Sequence, residues 1–266
     1  MTIRTTLFGD EGRRLYGAYH EPEVVRRAAP AVLLCYPGVH EYNTAHWTFK
    51  RLASGLAREG CATLRFDYSG TGDSQGEPKD VTLESMVEDI GRAYQELQDL
   101  SGARRIWLIG LRLGATAACL ASLEGLSARG LVLWECVTSG QEYLSELETR
   151  DSFRNLLFLH GSAPEKPRPE LLGYELGARA RESLAQLNLS AGLSKVAAEK
   201  TPVDRVIVVP RFGQDPKELE ERWAGRGAQT EVYRPTDEVD PSRDISGNNV
   251  RLDADAITAI VSRVGA

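Results

Sequence analysis

Short apolar runs alternate along this chain with longer stretches in which apolar residues recur every three or four positions. That alternation predicts an α/β fold, a mostly parallel central sheet flanked by crossover helices. Ala31–Tyr36 reads as a buried strand ended by Pro37-Gly38. Thr44–Arg58 then places Phe49, Leu52, Ala53 and Leu56 on one helical face, and Gly60 stops it. Ala62–Phe66 is the next strand, and Leu83–Leu100 a helix through Met86, Ile90, Tyr94 and Leu97. Arg105–Ile109, Leu113–Leu123 and Gly130–Trp134 continue the rhythm as strand, helix and strand. Ahead of them, Ile3–Leu7 and Arg14–Tyr19 read as an antiparallel hairpin.

After Trp134 the rhythm breaks. Helix-like pieces at Glu142–Leu159 and Glu175–Leu187 flank a proline-rich loop, Pro164–Pro169. A long structureless loop is unusual inside a compact domain. Residues 137–200 are therefore expected to form a helical cap inserted into a core made of 1–136 and 201–266. The core resumes with a strand at Arg205–Val209, a helix near Pro216–Ala224, a strand at Thr230–Tyr233 and a final helix at Ala254–Val264.

Composition narrows the functional classes. A net charge of −6 gives no basic excess for binding a phosphate backbone, so no nucleic-acid partner is expected. No apolar run approaches the roughly 20 residues of a membrane helix, and the first residues lack the pattern of a signal peptide. Cys35, Cys61, Cys119 and Cys136 are widely spread, without metal-type spacing, and read as reduced thiols in a cytoplasmic protein. No HExxH, Walker or dinucleotide pattern is present, so neither a metal nor an organic cofactor is expected.

The most informative residues are Gly110-Leu111-Arg112-Leu113-Gly114-Ala115, where a strand runs through Gly-x-x-x-Gly into a helix of small residues. This is the arrangement of a nucleophile elbow, Gly-x-Ser-x-Gly, whose glycines permit a tight turn that exposes the central side chain. Together with Tyr36-Pro37-Gly38 and the loop Asp67-Tyr68-Ser69-Gly70-Thr71-Gly72-Asp73-Ser74, it resembles the α/β-hydrolase superfamily, and its serine-aminopeptidase-like branch in particular. Leu133-Trp134 with Ser139-Gly140, Glu41-x-Asn43 and Gly173-Tyr174-Glu175-Leu176 are similar to a narrower group, the second hydrolase family that accompanies exosortase gene clusters. The likeness runs from the first glycine-rich loop into the cap and weakens after Asp204. It implies the α/β-hydrolase fold, with Tyr36-Pro37-Gly38 in the place of an oxyanion loop.

The residue types then limit the chemistry. Acyl transfer on this fold needs a hydroxyl or thiol activated by a histidine, whereas the central residue here is Arg112, a permanent cation without a lone pair to attack with. The histidine that should fall between the last strand and last helix is missing from Tyr233–Ala254. All four histidines (His20, His40, His46 and His160) lie earlier. Asp215 sits where the triad acid usually falls. Two roles stand open for Arg112. It is either a plug satisfied by a carboxylate such as Asp215, Asp237, Glu238, Asp240 or Glu135, or a fork presented to a ligand carboxylate, phosphate or thioester carbonyl.

His40 and Glu41, just beyond the Pro37-Gly38 turn, and Glu135, ending the fourth strand, are expected at the crevice where α/β folds bind ligands. The catalytic candidates are thus Arg112, His40, Glu41, Glu135 and Asp215, with Gly38, Val39, Leu113, Cys136 and Tyr143 on the ligand side. Cap residues Tyr143, Leu147, Phe153, Leu156 and Phe158 are candidates for an acyl pocket, although their helical spacing equally suits plain core. The expected activity is non-serine processing of an acyl or carboxylate-bearing small molecule. The rivals are a catalytically silent binding or interaction module and, more weakly, a thiol acyl-hydrolase or acyltransferase using Cys136. Under all three, fluorophosphonate serine probes are expected to leave the chain unlabelled, as read by gel fluorescence or intact mass.

Overall fold

A computed structural model describes residues 2–24, 26, 29–158, 170–195, 203–236 and 254–265. Among these residues, ten strands and eight α-helices follow in chain order. They are β1 (Ile3–Phe8), β2 (Leu15–His20), β3 (Ala31–Cys35), α1 (Tyr42–Arg58), β4 (Ala62–Phe66), α2 (Leu83–Ser101), β5 (Ile106–Leu111), α3 (Leu113–Leu123) and β6 (Ala128–Trp134). Then come α4 (Gly140–Phe158), β7 (Glu170–Leu171), β8 (Tyr174–Glu175), α5 (Ala178–Gln186), α6 (Leu189–Lys195), β9 (Arg205–Val209), α7 (Lys217–Ala224), β10 (Gln229–Val232) and α8 (Ala254–Val264).

Eight strands make one sheet in the order β1-β2-β4-β3-β5-β6-β9-β10, while β7 and β8 form a separate antiparallel pair. The β1–β2 hairpin joins β4 antiparallel, and from β4 onward every pairing is parallel. Parallel strands covered on both faces read as unbroken apolar runs. β3 and β5 are accordingly buried at every position. Helices α1 and α8 pack together on one face, while α2 and α3 pack together on the other, with α6 between α3 and α7.

Two local features fix the helices nearest the strand ends. Thr82 and Ser85 cap α2 reciprocally, and Gly102 ends it in a left-handed conformation, φ 71°. Helix α3 is built of small residues and lies against the sheet at backbone range. A Cβ on Gly114 would stand 2.1 Å from Tyr36 O and 2.2 Å from Cys35 O.

Register does the functional positioning. Cys35 pairs with Gly110, Leu111 with Trp134, and Trp134 with Val209. The carboxyl ends of β3, β5, β6 and β9 therefore line up in one row. The segments that follow them, at Gly38, Arg112, Glu135 and Arg211, open on the same crevice.

The boundaries depart from the sequence expectation where pairing outruns hydrophobicity. β5 continues past Ile109 because Gly110 and Leu111 still pair with Leu133 and Trp134. The helix expected from Glu175 starts at Ala178, because Glu170-Leu171 pair first with Tyr174-Glu175. β7, β8 and α6 were not anticipated, being too short to show a period. The proline-rich loop and His160 lie outside the described residues. Gly114→Ala should destabilise the fold by about 3 kcal/mol, since its methyl meets backbone that cannot give way. The urea unfolding midpoint measures it, and an unchanged midpoint would contradict the close helix–sheet approach.

Candidate functional site

Arg112 occupies the single-residue turn between β5 and α3 at φ 54°, ψ −121°. This is a backbone state that non-glycine residues rarely hold without surrounding support. Support comes from both sides. Its N–H donates to Trp134 O at 2.9 Å, and its carbonyl accepts from Ala115 N at 3.1 Å. The side chain, 8% exposed, leaves the turn toward the crevice and meets carboxylates from two other elements.

Nε donates to Glu41 Oε1 at 3.1 Å, and Nη2 donates to Glu146 Oε2 at 2.7 Å. The guanidinium carbon lies 5.2 Å from the centre of the Tyr143 ring, a cation–π contact. Glu41 ends the one-turn helix Val39–Glu41 after β3, whereas Tyr143 and Glu146 stand one turn apart on α4. Arg211, just beyond β9, donates through Nη1 to the same Glu146 oxygen at 2.7 Å. Arg150 adds a third guanidinium, 3.6 Å from Glu146 Oε1 and 3.9 Å from Glu41 Oε1.

These contacts set the protonation states. Burial by itself would raise the Glu41 carboxyl, but Arg112, His40 and Arg150 together outweigh it and hold the group down at about 2. Burial likewise works against the Arg112 cation, and Glu41 and Glu146 more than compensate, so it stays protonated. Burial also lowers His40, with Arg150 and Arg112 adding to the effect against Glu41, which favours neutral imidazole.

The Tyr143 hydroxyl donates to Glu41 Oε2 at 3.2 Å and lies 3.1 Å from His40 Nε2. Its one proton goes to the charged acceptor. His40 must then carry its own proton on Nε2 to donate to the tyrosine oxygen.

Beside this cluster is a cavity of about 50 Å³, several times the ~10–15 Å³ needed by one water. Met86, Leu113, Leu147 and Leu184 form much of its apolar wall, and Gly38, His40 and Tyr143 its polar end. Gly38 lets the loop close in, since a Cβ there would stand 3.1 Å from Leu113 Cδ1 and 3.3 Å from the Tyr143 hydroxyl oxygen.

The structure thus gathers Gly38, His40, Glu41, Arg112, Leu113 and Tyr143 into one site, with Val39 in the turn that carries His40 and Glu41. Three expected members stand apart. Glu135 is buried at φ 47°, its N–H bound to Val209 O at 2.7 Å, but the carboxylates that grip Arg112 are Glu41 and Glu146. Glu146 instead reaches Arg112 from α4. Asp215 is exposed and accepts from Lys217 N at 3.0 Å, closing the start of α7 rather than facing Arg112. Asp237, Glu238 and Asp240 lie outside the described residues.

Cys136 does not line the cavity. Its thiol faces Thr116 Oγ1 at 3.7 Å and Val137 O at 3.9 Å, and burial pushes it up to about 12. A thiolate nucleophile is disfavoured there. Among the described residues, no serine hydroxyl or cysteine thiol is hydrogen-bonded to a histidine. Of the cap residues expected at a pocket, Tyr143 and Leu147 line it, Phe153 and Leu156 are exposed, and the Phe158 side chain is not described.

Glu146, Arg150 and Arg211 were not anticipated. The signal for the first two was present: Tyr143, Glu146, Leu147 and Arg150 share one face of a helix by three- and four-residue spacing. Arg211 follows a parallel strand at its carboxyl end, where ligand-facing residues of α/β folds concentrate.

Comparisons with known proteins agree with this architecture. The family described as serine aminopeptidase, S33, matches residues 28–164, over half of the chain. No curated protein sequence matches significantly. Among solved structures, DcsB in complex with its substrate analogue superposes with a TM-score of 0.65 at 14% identity, covering 99% of this chain and 98% of that one. Est1E from Butyrivibrio proteoclasticus with ferulic acid bound gives 0.62 at 16% identity, covering 98% and 96%. The proline iminopeptidase of Mycobacterium smegmatis gives 0.61 at 13%, covering 99% of each chain. With an eight-stranded, mostly parallel sheet and a family match over more than half of its length, this chain belongs to the serine aminopeptidase (S33) family of α/β hydrolases.

Proposed function

We propose that this protein takes a short acyl-bearing small molecule into the cavity beside Tyr143 and forms no acyl-enzyme at its elbow. One observation carries the reading: the Arg112 guanidinium is already held inside the fold by Glu41 and Glu146. A serine-type mechanism needs a neutral nucleophile with a lone pair at the tip of that turn, and a base beside it. Here the tip carries a compensated cation. The acidic partner is fixed as a carboxylate and cannot shuttle protons near neutral pH. Residues 137–200 act in this reading as a cap, with α4 supplying Tyr143 and Leu147 to the cavity and Glu146 to the lock. The cavity's size and apolar wall suit a short acyl chain, and its His40–Tyr143 end suits the carbonyl or carboxylate. The chain's family membership and its esterase- and peptidase-like relatives support a hydrolase-like ligand class.

A second reading is favoured by the position of His40. A neutral imidazole on the cavity wall, oriented by Tyr143 and Glu41 behind it, is equipped to take a proton from water and drive direct hydrolysis. The two readings share the ligand and differ in turnover.

Two measurements test this subsection. Calorimetric titration with short-chain acids and esters should detect binding that weakens more than tenfold in Ala180→Phe, which fills the cavity. In parallel, ester turnover absent from both wild type and His40→Asn selects the binding reading, and turnover lost only in His40→Asn selects hydrolysis. No binding by the wild-type chain would remove both.

The lock has its own signature. Glu41→Gln should cost about 3 kcal/mol, because it leaves a buried guanidinium short of a partner charge. With the folded carboxyl at about 2 and an ordinary value of 4.5, the ion-pair stabilisation is complete above pH 4.5 and disappears as pH falls through about 2. Urea unfolding between pH 2 and 6 should therefore show a steeper acid loss in wild type than in Glu41→Gln. Parallel curves would contradict the assignment.

A further inference from the structure

Three guanidinium groups from three different elements converge on one carboxylate of the chain itself. Glu146 Oε2 accepts from both Arg112 and Arg211 at 2.7 Å, and Arg150 Nη1 stands 3.6 Å from Oε1. The arrangement does not satisfy its occupant. Glu146 Oε1 is buried and receives no hydrogen bond among the described residues, and Arg150 lies beyond hydrogen-bonding range of it.

The charges of the groups that meet at Glu146 and Arg112 do not cancel among the described residues. Arg112, Arg150 and Arg211 against Glu41 and Glu146 leave one positive charge in excess, with His40 favoured neutral and the Tyr143 hydroxyl held protonated by burial and Glu41. Lifting Glu146 out would leave two. A carboxylate offers two oxygens and one charge where the site presents three forks, whereas a phosphate monoester offers three oxygens and two charges.

The cluster is not sealed from solvent. The Glu146, Arg211 and Arg150 side chains are 21%, 26% and 36% exposed, whereas Arg112 is 8% exposed.

We propose that this cluster is a binding site for a dianionic phosphate group, occupied in the ligand-free chain by Glu146 as an internal stand-in. The ligand is a small molecule carrying a phosphate monoester, gripped by Arg112 and Arg211 and closed over by Arg150. Displacement of Glu146 makes the site self-blocking: the phosphate must compete with a carboxylate tethered beside it, so free phosphate binds weakly to the wild-type chain. The site does not depend on the apolar cavity. Tyr143 lines that cavity, while the ring face carries Arg112.

The test uses the full chain and inorganic phosphate as probe, by isothermal titration at constant ionic strength with acetate and chloride as controls. Glu146→Ala should bind phosphate at least tenfold more tightly than wild type and more tightly than it binds acetate. Adding Arg211→Gln should abolish the gain. If Glu146→Ala does not fold by circular dichroism, Glu146→Gln, which keeps the side-chain volume and removes the charge, is measured instead with the same expectation. Equal phosphate affinity in wild type and variant, a gain that survives Arg211→Gln, or acetate binding as tightly as phosphate would each overturn the proposal. Cavity binding in Ala180→Phe is read separately, so failure of either site leaves the other result intact.

Discussion

The ion pairs of Arg112 organise this crevice. A cation buried at a turn that disfavours side chains is tolerable only if surrounding groups compensate the charge and brace the backbone. Arginine meets that demand where lysine would not, because its planar fork reaches two carboxylates in different directions at once. Nε addresses the loop after β3, and Nη2 addresses α4. Through Glu146 the connection continues to Arg211 beyond β9. Four separate stretches of chain are thereby tied at one point, and His40 and Tyr143 take their orientation from Glu41 at its edge.

Much of the scaffold was legible from hydrophobic order alone. β4, β9, α3 and α8 fall on the residues the pattern indicates, because each is an apolar run or a one-sided helix whose ends are marked by a change in polarity, α3 being buried at nearly every position. The elbow was legible because only glycine tolerates two close approaches there, Gly114 against the β3 end and Gly110 against Ala115 at the start of α3. Length limited the rest. β7 and β8, two residues each, and the seven-residue α6 carry too few positions to display a period.

The partners of Arg112 were harder to read, for a different reason. Asp215 seemed suited by its order along the chain, yet its carboxylate turns back to cap the helix that follows it. Glu135 seemed suited by its place at a strand end, yet Arg112 pairs with Glu41 and Glu146. Glu146 had no such marker. It becomes visible only when α4 is seen to lie over the elbow, bringing residue 146 near residue 112. Sequence order names the strand that carries a side chain, whereas the direction it points depends on a dihedral angle and on which helix lies above.

The positive φ at Arg112 has an evolutionary consequence. The backbone at this position already adopts a geometry that would aim a serine hydroxyl, so a single exchange would seem enough to install a nucleophile. Yet the shorter side chain would strand Glu41 as a buried anion with its main counter-ion gone, and would still find no basic nitrogen paired to it. Exchanging Arg112 for a nucleophile is therefore uphill unless several charges change together. The electrostatics act as a ratchet, holding Arg112 at the elbow more firmly than the turn geometry alone would require.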